Sequence, residues 1–219
     1  MRTTPTSDTP DLLVMAKAPV PGRVKTRLCP PLSLVEAAGV AEAALIDTLD
    51  AVSEANAGRR LLVLDGEPGS WLAPGFRVVA QRGVGFGARL GAAFREVPGP
   101  ALLVGMDTPQ VTADLLDHCG RVLMEPGVDA VLGAAEDGGW WIIGLRHADP
   151  RLFVGVPMST PETCRAQRDR LRRLGLRSVD LPMLRDVDRY EDAVAVADLA
   201  PGTNFARALR SLNRQPVSP

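Results

Sequence analysis

The feature that most constrains this chain is an alternation. Short apolar runs at residues 11–17, 61–64, 76–80 and 101–106 are separated by longer stretches with helical spacing of apolar residues. Those stretches are residues 34–56, a helix carrying Arg89 and Phe94 that follows the glycine-rich segment 83–87, and residues 112–124. Such strand–helix alternation predicts an α/β fold with a mostly parallel central sheet and helices on both faces. Ser33 and Glu36 are spaced as a capping box for the helix at 34–56. Further on, residues 128–133 and 140–145 read as strands split by Glu136-Asp137-Gly138-Gly139. A helix at 161–174, a strand at 176–179, a helix opened by Asp186-Val187-Asp188 and running to about 199, and a last helix at 203–212 complete the reading. Residues 1–10 are polar and rich in Pro and Thr, and are expected to form a flexible tail ahead of a single domain at 11–219.

Composition removes several classes of function. A formal net charge of −1 in 219 residues lacks the basic excess of a general nucleic-acid binder. Three scattered cysteines without a C-x-x-C pair indicate neither a disulfide framework nor a zinc site. The N-terminus has no apolar core of signal-peptide length, and the longest apolar runs fall short of a membrane span. A cytoplasmic location is therefore expected.

In doubly wound sheets ligands bind beyond the carboxyl ends of the strands. That rule picks out residues 17–27, residues 81–89 and Asp107. The first segment holds Lys17, Arg23, Lys25 and Arg27 and no acid, in a chain that is nearly neutral overall. Pro19 and Pro21 stiffen it and Gly22 lets backbone approach a ligand. One cation about 4 Å from a phosphate charge gains roughly 4 kcal/mol of gross attraction at an effective dielectric near 20. Convergent cations would therefore dominate the binding of a nucleotide diphosphate; the plainer alternative is a solvated surface loop. Asp107 ends the apolar run at 101–106 and is followed by Pro109. A carboxylate there suits Mg²⁺ or Mn²⁺ shared with phosphate, or else Asp107 or Thr108 caps a turn before the helix at Thr112.

Three further groups are less specific. Asp137-Gly138-Gly139-Trp140 suits a close approach to a ligand and equally a hairpin turn. Trp140 and Trp141 should point to opposite faces of a strand, one into the core and one toward a pocket. Asp186 and Asp188 would share one side of an extended segment and grip one metal, unless Asp188 merely caps the helix at Tyr190. Gln81, Gly83, Gly87 and Arg89 are a weaker constellation for admitting a base or sugar and reaching a phosphate. His118 and His147 sit in no motif.

The ordered set Ala16-Lys17-x-Pro19-x-Pro21-Gly22-x-Val24-Lys25-Thr26-Arg27-Leu28, Gly105-x-Asp107-x-Pro109, Asp137-Gly138-Gly139 and Asp186-Val187-Asp188 resembles one bacterial family. It is the glycosyltransferase-like family formerly a domain of unknown function, also called arsenosugar-biosynthesis-type or radical-SAM/selenodomain-associated transferases. The family lies within the nucleotide-diphospho-sugar transferase superfamily. The resemblance spans residues 12 to about 212 and implies a GT-A-type fold, a nucleotide donor and a divalent metal. It also implies phosphate binding by Lys17, Arg23, Lys25 and Arg27, metal binding by Asp107, and further acidic site residues at Asp137 and Asp188. Gly85-Phe86 stands where relatives often carry an acid, Thr108 where Cys is common, and Trp140 where Tyr is usual.

The leading expectation is therefore transfer of a sugar from a nucleotide-diphosphate donor to a small acceptor. Asp137 or Asp188 would be the catalytic base, Asp107 and Asp188 would hold the metal, and Gly138, Gly139 and Trp140 would line the substrate pocket. Pro21, Gly22, Gln81, Gly83 and Arg89 would join the cations at the nucleotide. The alternatives are a nucleotidyltransferase acting on an NTP and a phosphorylated small molecule, and a nucleotide-binding module without turnover. The expected partners are a nucleotide sugar or NTP and a small-molecule acceptor, with no nucleic acid or membrane and with room for a homodimer.

Overall fold

The computed structural model describes residues 9–212. Its strands are β1 (Asp11–Lys17), β2 (Arg60–Asp65), β3 (Arg77–Ala80), β4 (Ala101–Gly105), β5 (Ala130–Ala135), β6 (Trp140–Leu145) and β7 (Ser178–Leu184). They form one seven-stranded sheet in the order β3-β2-β1-β4-β6-β5-β7. All neighbouring pairs run parallel except those of β6, which is antiparallel to both β4 and β5. The reversal follows from chain length. Only residues 136–139 join β5 to β6, enough for a hairpin and far too few for a parallel crossover.

The helices are α1 (Leu34–Glu54), α2 (Phe86–Arg95), α3 (Ala113–Met124), α4 (Thr163–Arg173), α5 (Tyr190–Leu199) and α6 (Asn204–Leu212). Successive side chains of a strand point to opposite faces, and helices cover both. Leu12, Val14, Leu62 and Val104 pack with Leu45 and Leu49 of α1 and Leu116 of α3. Leu13, Leu61, Leu103 and Ile143 pack on the other face with Leu90 and Phe94 of α2 and Leu171 of α4. Two covered faces explain why the central strands read as unbroken apolar runs. A third cluster joins the outer side of α1 to Val196 of α5 and Phe205 and Leu209 of α6. The capping box forms as its spacing predicts: Glu36 N–H donates to Ser33 Oγ at 3.3 Å, and Ser33 N–H to Glu36 Oε2 at 2.7 Å.

Some expectations need correction. Residues 1–8 of the expected tail lie outside the described residues, but Pro10 is buried and accepts the Gly58 N–H at 3.1 Å. The last strand starts at Ser178 rather than 176, because Gly175 at φ 72° turns the chain out of α4 first. It continues through Pro182, which a strand at the sheet edge tolerates. Neither Asp107 nor Thr108 caps α3; Thr112 does, accepting the Leu115 N–H at 3.2 Å. Asp188 does not cap α5; the Arg189 N–H donates to Asp192 at 2.9 Å instead. No helix among the described residues is long and apolar enough to cross a membrane.

Candidate active site

A cleft of about 640 Å³ opens at the carboxyl ends of β1 and β4. The reversed strand β6 begins at this same end, so Trp140 and the Asp137 turn face the loop that follows β1. Lys17, Arg23, Lys25, Arg27 and Arg89 line the cleft together with Asp107, Asp137, Asp186 and Asp188. Five cations and four carboxylates from distant parts of the chain thus share one space.

The pairing inside it is specific. Lys25 Nζ lies 2.6 Å from Asp107 Oδ1 and also donates to the Val187 carbonyl. Arg27 Nη1 meets Asp188 Oδ2 at 2.7 Å, which holds that guanidinium above its ordinary pKa. Val187 is buried, so Asp186 and Asp188 emerge on its other side into the cleft, as an extended segment requires. Gln81 lines the cleft with its amide engaged by the protein. Its Nε2 donates to Ala16 O at 2.8 Å and Val63 O at 3.2 Å, leaving Oε1 to accept from Arg89 at 3.3 Å. It is a brace for Arg89.

Pro21, Gly22, Gly83 and Gly138 are not among the residues that line the cleft, and the three glycines have positive φ. The clearest case is Gly138, at φ 89°, which sits against the Pro161 backbone so closely that no side chain fits. Gly139 does line the cleft, with its N–H donating to Asp137 Oδ1 at 2.6 Å. The turn is therefore both a hairpin and part of the site. Trp141 is the buried member of the pair, donating to Pro182 O at 2.9 Å, while Trp140 is half-buried at the cleft. Trp140 Nε1 and Thr108 Oγ1 are both inaccessible and lack a hydrogen-bond partner among the described residues. His118 and His147 are exposed and outside it. Burial pushes the Cys119 thiol up to about 12, which keeps it protonated and inert.

Sequence reasoning missed two parts. Asp65 ends β2 between two cleft arginines, 3.3 Å from Arg89 and 3.9 Å from Arg23. The strand-end rule that selected Asp107 applies to it equally. Met158, Ser159, Thr160 and Thr163 also line the cleft. Ser159 adopts φ 58°, and the Cys164 N–H donates to Gly138 O at 2.8 Å, tying this segment to the turn. No local pattern marks it.

Asp186 is the titrating group to watch. Burial first, then the nearby Asp137 charge, push its carboxyl up to about 6, with Lys25 pulling the other way. A carboxyl raised on folding holds its proton more tightly in the native chain. Its stabilising contribution is therefore complete below its unfolded pKa of 3.8 and is lost as pH rises through about 6. In metal-free buffer, Asp186→Asn should melt higher than the native protein at pH 7.5 and level with it at pH 4. An offset that is the same at both pH values would contradict this.

The α/β fold is of the nucleotide-diphospho-sugar transferase-like kind. A family model described as "Uncharacterized protein conserved in bacteria (DUF2064)" matches residues 45–160, and the chain belongs to that family. It is 33% identical over 205 residues to a 3-phospho-D-glycerate guanylyltransferase of Phenylobacterium zucineum, covering 86% of this chain and 90% of that one. A crystal structure from Desulfovibrio desulfuricans G20, described as a candidate nucleotide-diphospho-sugar transferase, superposes with a TM-score of 0.84 at 25% identity, covering 95% of this chain and 96% of that one. A 2-C-methyl-D-erythritol 4-phosphate cytidylyltransferase from Thermus thermophilus shares the fold at 15% identity and a TM-score of 0.54, covering 88% of this chain and 99% of that one.

Proposed function

We propose that this chain is a nucleotidyltransferase. It would move a nucleoside monophosphate, guanylate first among the candidates, from an NTP to a small phosphorylated acceptor and release pyrophosphate. The observation that carries this reading is the wall of five cations facing four carboxylates in one cleft. A triphosphate and a phosphorylated acceptor bring far more negative charge than the diphosphate of a nucleotide sugar, and so use more of those cations. The guanylyltransferase relative weighs the same way, toward this reading and against the sugar transfer favoured by motifs alone.

In this mechanism an acceptor phosphate oxygen attacks the α-phosphorus, the bond to the β-phosphate oxygen breaks, and pyrophosphate leaves in line. The protein's part is position and charge: Lys17, Arg23, Lys25, Arg27 and Arg89 hold phosphate oxygens and offset the charge on the departing group. A phosphate acceptor arrives deprotonated, so neither Asp137 nor Asp188 need serve as a base. Asp137 shapes the turn through Gly139, and Asp188 holds Arg27. Among the described residues there is no ready-made group of three His, Cys, Asp or Glu side chains for a metal. Mg²⁺ commonly takes only one or two carboxylates and shares the rest of its shell with substrate phosphates and water. Asp107, its side chain 47% exposed, fits that mode with Asp186 and Asp188 near it. Such an ion would neutralise phosphate charge and help orient the leaving group.

The test is to incubate the protein with Mg²⁺, 3-phosphoglycerate and each of GTP, ATP and CTP, measuring pyrophosphate and the adduct mass. A parallel series supplies GDP-sugars and measures GDP. Pyrophosphate appearing in step with an adduct supports nucleotidyl transfer; GDP release without pyrophosphate would hand the site back to glycosyl transfer. In the same assay Arg89→Ala should raise KM for the nucleotide by about tenfold to a hundredfold, the worth of a charged hydrogen bond to phosphate. An unchanged KM would remove Arg89 from the binding set.

A further inference from the structure

We propose that the Lys25 ammonium is the resident counter-ion of Asp107 and keeps the place of the divalent cation, so that the metal enters only together with the nucleotide. The proposal rests on the nucleotidyl-transfer reading only for the identity of the anion that draws Lys25 away.

The backbone is the first observation. Lys25 sits at φ 47°, ψ 34°, a left-handed conformation that costs energy for any side chain with a Cβ. Strain of this kind persists where the surroundings impose it, often at functional sites. Here the strained backbone aims a lysine side chain inward: that side chain is only 11% exposed, whereas neighbouring Arg23, Thr26 and Arg27 are exposed.

The second observation is what the ammonium finds there. An ammonium removed from water needs compensating oxygens. Lys25 takes one from the Asp107 carboxylate at 2.6 Å and one from the Val187 carbonyl. The two residues are themselves tied together, because the Val187 backbone N–H donates to the Asp107 backbone carbonyl at 2.8 Å. A carboxylate and a backbone carbonyl are also the ligands a hard divalent ion selects. The seat lies among carboxylates, since Asp137, Asp186 and Asp188 line the same cleft. Two like charges do not share such a seat, so the ammonium and a metal ion exclude one another.

A nucleotide resolves the competition. Its phosphates offer Lys25 another anionic partner, and the flexible lysine stem lets the ammonium turn toward them. That movement frees the Asp107 carboxylate as the phosphates bring further oxygens for the ion. Metal alone should therefore bind weakly.

The experiment titrates Mn²⁺ into the full chain and reads free Mn²⁺ by electron paramagnetic resonance. Without nucleotide, Lys25→Gln should bind Mn²⁺ at least about tenfold tighter than the native protein, while Lys25→Arg, which keeps a cation, should not. Adding Asp107→Asn to Lys25→Gln should erase the gain. With the α,β-methylene analogue of GTP, native affinity for Mn²⁺ should rise by at least about tenfold, and that of Lys25→Gln by much less. The proposal is overturned if Lys25→Gln holds Mn²⁺ no tighter than the native chain, or if the gain survives Asp107→Asn. Should the Gln variant fail to fold, Lys25→Met retains the apolar stem and answers the same question. A native protein that ignores the analogue would sink the nucleotidyl reading, while the nucleotide-free comparison of variants still decides the role of Lys25.

Discussion

Asp107→Asn is expected to lower kcat for pyrophosphate release by about a thousandfold or more, the scale on which losing a centrally placed electrostatic stabiliser acts. The substitution keeps the shape of the side chain and removes its charge. It takes away the carboxylate just beyond β4, which pairs with Lys25 in the cleft. Stability should hardly follow, because the asparagine amide still offers the Lys25 ammonium an oxygen and the Asp107 side chain is 47% exposed. A melting temperature within about 4 °C of the native value is expected. The informative result is the separation of the two readouts. If kcat fell only a few-fold while the protein stayed folded, Asp107 would be one of several interchangeable acids rather than the centre of the site.

Gly138→Ala should be strongly destabilising. An added Cβ would stand 2.6 Å from the Pro161 carbonyl carbon and nearer still to its oxygen, and the backbone is at φ 89°. Backbone strain of roughly 1–3 kcal/mol and overpacking of roughly 1–3 kcal/mol predict a loss of about 2–6 kcal/mol. Activity should suffer as well, since relief requires the segment bearing Ser159 and Thr160 to back away from the cleft. Gly175→Ala is the control: at φ 72° it has the same backbone conflict, yet a Cβ there meets nothing within 4 Å. Urea denaturation of both variants separates strain from clash. Similar losses would mean that the contact with Pro161 is not what makes Gly138 necessary.

Much of the site was legible because its parts are local. The cationic loop, the aspartate at the end of β4 and the Asp-Gly-Gly turn are each recognisable within a dozen residues. Asp65 was equally legible by the strand-end rule and shows how a single unremarkable carboxylate escapes notice without its neighbours. The segment at Ser159 was not legible. Its place in the cleft depends on how α4 docks against the Gly138 turn, and no periodicity records that contact. The role of Gln81 follows the same logic. Its type and its place after β3 suggested binding, but its amide N–H groups are consumed by backbone carbonyls of two other strands.

The amino-acid sequence by itself determined the order of strands and helices, the capping box at Ser33 and the concentration of cations after β1. Apolar periodicity, capping and local charge act between residues a few positions apart, so they can be read in one dimension. Only the tertiary structure decided which acid meets which base. Arg27 reaches Asp188 across 161 residues, and Lys25 reaches the Val187 carbonyl across 162. Those meetings follow from the strand order and from β6 running backwards between β4 and β5, which bring the two loops to one edge. Long-range packing of this kind leaves no local signature, because it is the outcome of many weak burial preferences satisfied together.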